Sequence, residues 1–203
     1  MAVTGTLYII SAPSGGGKTS LVNALIASMN EITVSISYTT RVQRSGEQDK
    51  IDYHFIDDKQ FQELSQQGAL LEEACVFGNH YATGKQWVTE KLESGQDVIL
   101  EIDWQGAQQI RRLMPECIGI FILPPSREAL YSRLKERAQD DLVVIEKRMA
   151  QASNEIIHYQ EYDYLVINDD FEQALNDLKC IIRANRLLCH RQQKRYSNLI
   201  NNL

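Results

Sequence analysis

The segment Thr6-Leu7-Tyr8-Ile9-Ile10-Ser11-Ala12-Pro13-Ser14-Gly15-Gly16-Gly17-Lys18-Thr19 constrains this chain more than any other. A β-rich run ends in a glycine cluster, and Leu21, Val22, Leu25 and Ile26 then follow at helical spacing over Ser20 to Met29. The local order is strand, loop, helix. Glycines let successive backbone N–H groups turn inward around an anion at a helix N-terminus. In the G-x-x-x-x-G-K-[ST] arrangement the lysine, here Lys18, reaches the β- and γ-phosphates of a nucleoside triphosphate, and the Thr19 hydroxyl meets Mg²⁺. Ala12 replaces the first glycine, on which that chemistry depends little. The run Ala12, Pro13, Ser14, Gly15, Gly16, Gly17, Lys18, Thr19 and Ser20 thus predicts a nucleotide-binding site, without saying what receives the phosphate.

The same alternation returns later. Asp97–Ile102 reads as a buried strand, Gln105–Met114 as a helix, and Ile118–Leu123 as a second buried strand closed by Pro124-Pro125. Near-continuous apolar strands between helices predict an α/β fold with a parallel sheet covered on both faces. Beyond Pro125, Glu128–Ala138 and Leu142–Tyr159 read as helices and Tyr164–Ile167 as a strand. Asp170 to about Asn198 reads as one long last helix, with Phe171, Leu175, Leu178, Ile182 and Leu188 on its apolar face. Residues 36–85 break the pattern: they are polar, with β-like pieces near Tyr53–Phe55 and Leu70–Val76 and a short helix at Asp58–Gln67. They read as an insert beside the main sheet.

Composition narrows the function classes. With 203 residues, 21 Lys/Arg against 27 Asp/Glu and a net charge of −6, the chain suits one globular domain and argues against a nucleic-acid polymer as partner. No stretch has the length of a membrane span, so a cytoplasmic protein without membrane partners is expected. Cys75, Cys117, Cys180 and Cys189 lack zinc or disulfide spacing and read as reduced residues in or near the core. Residues 179–203 hold six Lys/Arg and no acid. Cations toward a helix C-terminus favour its dipole, which suffices to explain them without a catalytic role.

From Ser35 into the insert stand Ser35-Ile36-Ser37-Tyr38-Thr39-Thr40-Arg41-Val42-Gln43-Arg44-Ser45-Gly46-Glu47, Asp52-Tyr53-His54-Phe55, Leu71-Glu72-Glu73-Ala74 and Gly78-Asn79-His80-Tyr81-Ala82-Thr83-Gly84. Arg41 and Arg44 offer planar forks for a phosphate dianion, with Tyr53 and Tyr81 as phenolic donors. Together with the phosphate loop, Asp103-Trp104-Gln105-Gly106 and Val166-Ile167-Asn168-Asp169-Asp170, these runs resemble the guanylate kinase family over nearly the whole chain. The resemblance implies a three-layer P-loop kinase fold with a core (about 1–35, 86–126 and 160–203), a small mixed α/β GMP-binding insert (about 36–85) and a helical lid (about 127–159). It implies ATP:GMP phosphoryl transfer, with dGMP as a further acceptor, in purine nucleotide metabolism. It also implies that Arg41, Arg44, Tyr53 and Tyr81 hold the GMP phosphate, that Ser37, Glu72 and Thr83 match the guanine edge, and that Asn168 belongs to the ATP site. Oligomeric state is left open, a homo-oligomer included.

Arg133, Arg137 and Arg148 lie on the two helices after Pro125, where lid arginines that neutralise the transferring phosphoryl group are expected. Glu101 and Asp103, two apart at the end of a buried strand, can hold Mg²⁺-bound water or organise the guanosine site; we assign Asp103 to the metal through water and both to the GMP site. Four positions depart from the family pattern: Ala12, Glu101 for Asp, His80 for Tyr, and Ala138 for Gly. The rival readings are a peptide-binding module that has lost ATP use, disfavoured by Lys18 and Thr19, and a kinase for another monophosphate or a P-loop ATPase without acceptor, disfavoured by Ser37, Glu72 and Thr83.

Overall fold

The computed structural model describes residues 4–76, 78–137 and 142–203, the side chains of 137 and 142–144 excepted. Along the chain run β1 (Leu7–Ser11), α1 (Lys18–Ser28), β2 (Ile32–Val34), β3 (Tyr38–Thr39), β4 (His54–Phe55), α2 (Asp58–Gln66), β5 (Leu70–Val76), β6 (Asn79–Gly84), α3 (Lys85–Glu93), β7 (Asp97–Glu101), α4 (Trp104–Leu113), β8 (Ile118–Leu123), α5 (Arg127–Arg137), α6 (Leu142–Ile156), a 3₁₀ segment (Ile157–Glu161), β9 (Tyr164–Ile167), α7 (Phe171–Arg186), α8 (Cys189–Arg195) and α9 (Ser197–Ile200). Ala138 lies outside the described residues.

The main sheet has five strands in the order β2-β7-β1-β8-β9, every pairing parallel. Alternation within its strands feeds two cores. Tyr8, Ile10, Ile99, Ile120 and Ile122 face Leu21, Leu25, Leu178 and Ile182 of α1 and α7. Leu7, Ile9, Val98 and Leu100 face Val88, Leu92 and Ile110 of α3 and α4. Ile9, Ile10, Ile99 and Leu100 are fully buried, each contributing about 1.5–3 kcal/mol. Because α1 and α4 leave the adjacent strands β1 and β7 toward opposite faces, a crevice opens beyond the carboxyl ends of those strands.

The second sheet, β4-β3-β6-β5, is mixed and lies within residues 38–84. It docks on α4: Gln109 Nε2 donates to Glu73 O at 2.6 Å, and Glu73 N donates to Gln109 Oε1 at 3.1 Å. A register shift between Leu70 and Glu72 breaks the two-residue alternation of β5. Leu71 therefore enters the core while its neighbour Glu72 is buried too. The α5–α6 pair has a small core of its own, Leu130, Leu134, Ile145, Met149 and Ala152.

Two expectations are corrected. The last helix is broken: α7 stops at Arg186, Leu188 takes φ −54° and ψ 134°, and α8 and α9 follow as separate short helices. Leu175, Leu178 and Ile182 are buried as expected, whereas Phe171 and Leu188 are exposed. The cause is Asp97, a buried acid that accepts from Arg186 Nε at 2.7 Å, Arg191 Nη2 at 3.2 Å and Thr6 N at 2.7 Å. A straight helix cannot aim residues 186 and 191 at one carboxylate, since five positions turn the side chain to the opposite face. The acid-free tail thus supplies counter-charges to Asp97 and, through Arg195, to Glu31. The second correction concerns the cysteines. All are free, but only Cys117 is buried; Cys75, Cys180 and Cys189 are exposed. No helix among the described residues is long and apolar enough to cross a membrane.

Candidate active site

The phosphate loop closes the crevice from below. Gly15 and Gly17 have φ of +88° and +90°, angles open to glycine but strained for other residues. Gly16 N donates to Pro13 O at 2.8 Å, and Asn168 Nδ2 to Gly16 O at 2.9 Å. A Cβ on Gly17 would stand 2.3 Å from that same Nδ2. Asn168 therefore locks the loop from behind instead of lining its cavity. Helix α1 starts with no side chain capping its first N–H groups, which leaves them for a ligand. The methyl group of Ala12 packs against the apolar cluster under α1, which accounts for the missing glycine.

A cleft of about 260 Å³ gathers the loop from Ala12 to Thr19 with Ser37, Arg44, Tyr53, Glu72, Tyr81, Glu101 and Asp103. Elements far apart in sequence build its upper wall. Thr83 is the register partner of Glu72 across β5 and β6, and its hydroxyl donates to Glu72 Oε1 at 2.7 Å. The other oxygen, Oε2, would lie 2.4 Å from a Cβ placed on Gly106, so only glycine at that point of α4 leaves the carboxylate its place. Burial pushes the Glu72 carboxyl up to about 7; the Thr83 bonds pull the other way, and the Asp103 and Glu73 charges add to the rise.

On the phosphate side, burial raises the Tyr53 phenol, which stays a donor at neutral pH. Arg44 opens to the cleft. Arg41 does not: its Nη2 contacts Glu47 Oε1 at 2.8 Å and Oε2 at 3.0 Å, and its guanidinium lies 5.4 Å from the Tyr53 ring centre. Burial works against the charge of Arg41, but the Glu47 carboxylate outweighs it and holds the guanidinium above its usual range.

Glu101 accepts from Thr19 Oγ1 at 3.0 Å. The methylene by which Glu exceeds Asp, about 1.5 Å of reach, spans the gap between the end of β7 and the start of α1. Asp103 caps α4, accepting from Gly106 N at 3.0 Å and from Gln105 Nε2 at 2.9 Å. His80 stacks on Phe61 with ring centres 4.7 Å apart and does not line the cleft. Ser20 is exposed outside it.

Of the lid arginines, Arg133 donates Nη2 to Asn168 O at 2.8 Å, while its buried Nη1 has no hydrogen-bond partner among the described residues. Arg148 is half-buried on α6, and the Arg137 side chain lies outside the described residues. One charged cleft residue escaped the sequence reading. Glu155 Oε2, from α6, accepts from Ser14 N at 3.1 Å. Burial raises its carboxyl, while the Ser14 amide and Lys18 act in the opposite sense. A single acid on an amphipathic helix carries no spacing signal that could have marked it.

A five-stranded parallel sheet with a glycine loop, lysine and threonine between β1 and α1 defines a P-loop nucleotide-binding protein, with a second polar wall facing the loop. Comparisons sharpen this class. Residues 4–185 match the guanylate kinase family. The chain is 54% identical over 203 residues to the guanylate kinase of Saccharophagus degradans, covering 100% of this chain and 99% of that one. It is 57% identical over 189 residues to that of Alkalilimnicola ehrlichii, covering 93% of each. The crystal structure of guanylate kinase from Anaplasma phagocytophilum superposes with a TM-score of 0.79 at 33% identity, over 93% of this chain and 90% of that one. The chain belongs to the guanylate kinase family.

Proposed function

We infer that the chain transfers the γ-phosphoryl group of ATP to GMP, giving ADP and GDP, and that it accepts dGMP as well. The observation that carries the acceptor assignment is Glu72, a buried carboxylate braced by Thr83 on the cleft wall that faces the phosphate loop. Guanine turns N1–H and an amino group toward such a carboxylate, whereas adenine would present an unprotonated nitrogen. Ser37 is available beside it in the same cleft. We read residues 36–85 as the GMP-binding unit and 127–159 as the lid.

A nucleoside monophosphate has its second pKa near about 6, so its oxygens are largely ionised at neutral pH and need no general base to attack. Catalysis therefore consists of holding two polyanions in line and offsetting their charge. Arg44, Tyr53 and Tyr81 would grip the GMP phosphate, with Arg41 bracing Tyr53 and the Glu47 turn behind them. Lys18 and the loop amides would hold the ATP phosphates. The unpartnered Nη1 of Arg133 is suited to the transferring group, joined by Arg137 and Arg148 as the lid closes. Hard oxygen donors at Thr19 and Glu101 fit Mg²⁺, with Asp103 acting through water. The ion would supply charge neutralisation for the ATP phosphates. Both substrates are soluble nucleotides, and we place the reaction in the cytoplasm.

A coupled assay with ATP and each of GMP, dGMP, AMP, CMP and UMP tests the reading. Fast turnover with GMP and dGMP alone is expected. Faster use of AMP than GMP would refute the base assignment, and no turnover with any acceptor would favour a binding module.

A further inference from the structure

Two helices of the proposed lid already touch the phosphate loop. On α5, Leu130 and Leu134 close over Gly15, where an added Cβ would stand 3.0 Å from Leu130 Cδ1 and 3.1 Å from Leu134 Cγ. Also on α5, Arg133 reaches the carbonyl of Asn168, whose amide holds Gly16. From α6 comes the bond between Glu155 Oε2 and Ser14 N.

We propose that Glu155 is a positioning residue, one that registers α6 against the phosphate loop and so sets where Arg148 stands relative to the ATP phosphates; this rests on reading the cleft as the ATP site. Among the described residues, the apolar contacts of α6 include Ile145, Met149 and Ala152 packed on Leu130 and Leu134. Such packing is non-directional and tolerates small rotations and slides. A hydrogen bond to a fixed backbone N–H does not. Arg148, Ala152 and Glu155 follow at i, i+4 and i+7 and share one helix face, so pinning Glu155 fixes the azimuth of Arg148 two turns away. Ser14 immediately precedes the left-handed Gly15, and the same bond therefore restrains the loop where it turns. A carboxylate near an anion-binding loop repels the incoming triphosphate. Its presence there makes sense if reach and direction, not charge, are what the position requires.

Three substitutions separate reach from charge. Glu155→Gln keeps the length and an acceptor oxygen, Glu155→Asp keeps the charge but falls short, and Glu155→Ala loses both. Steady-state kinetics for ATP and GMP would be combined with calorimetric ADP binding and melting curves. Glu155→Gln is expected within about threefold of wild type in kcat/KM for ATP, while Asp and Ala each lose about tenfold to a hundredfold, the span of a lost bond to a charged group. KM for GMP stays level in all three. An Asp variant as active as wild type beside a crippled Gln variant would overturn the proposal in favour of charge, and either a KM for GMP that rises as far as KM for ATP or no loss in Glu155→Ala would overturn it outright. Wild-type turnover of GMP in the same assay reports separately on the proposed reaction, and ADP binding reads the Glu155 series even without it.

Discussion

Glu72→Gln should move stability and activity in opposite directions. In the GMP-free protein, burial lifts the Glu72 carboxyl from 4.5 to about 7. At 1.36 kcal/mol per unit this amounts to about 3 kcal/mol. Because the folded value is raised, the contribution to stability is fully present below pH 4.5 and is lost as pH climbs through about 7. Wild type should therefore lose stability from this group between about pH 4 and 8, and the Gln variant, which cannot ionise, should not. At about 2–4 °C per kcal/mol for a chain of this size, the Tm difference between the two proteins should widen by about 6–12 °C over that range. Subtracting the curves cancels the titrating groups that do not feel the Glu72 charge. Catalysis runs the other way: the amide keeps one acceptor oxygen, sets an NH2 against a guanine donor in place of the other and removes the charge that strengthens both bonds, so kcat/KM for GMP should fall about a thousandfold. GMP at saturation should narrow the wild-type pH slope, since its donors favour the ionised carboxyl. Calorimetry without nucleotide and the coupled assay are the measurements. Parallel Tm curves would refute the raised carboxyl, and an unchanged KM for GMP would remove Glu72 from the base site.

Lys18→Ala should lower kcat about a thousandfold while leaving Tm nearly unchanged, because the side chain meets substrate charge and not the core; a large Tm loss would make it structural. Gly106→Ala adds a Cβ 2.4 Å from Glu72 Oε2, and should raise KM for GMP at least about tenfold with ADP binding intact, even though alanine favours a helix by about 1 kcal/mol. Asp97→Ala strands Arg186 and Arg191 beside a buried void, and should cost about 3–5 kcal/mol and at least about 6 °C in Tm. Its KM for GMP should stay level, and a shift there would link the basic tail to the site.

Legibility in the sequence followed the range over which each feature is determined. The phosphate loop and the strands β1, β7 and β8 were readable because their cause is local: glycines must take left-handed angles, and doubly covered strands must be apolar throughout. The second sheet was only half readable. Its strands β3 and β4 are two residues long, and a bulge in β5 buries Leu71 and Glu72 in succession, which erases the alternation that would announce a strand. β2 and α3 went unread, being three and nine residues with mixed burial. The break at Leu187 was invisible because apolar periodicity continues through it, and its cause, Asp97, lies about ninety residues upstream.

Charged residues show the same limit more sharply. Arg41 and Arg44 look equivalent in sequence, yet Glu47 takes the side chain of the first and only the backbone amide of the second, so only the second opens to the cleft. Glu101 looks like a deviation until Thr19 is found at its tip. Spacing reveals which residue types could meet a phosphate. Which of them is still available to do so depends on counter-charges brought in by the fold, and a net charge of −6 describes that distribution no better than the position of Glu155 on its helix describes its bond to Ser14.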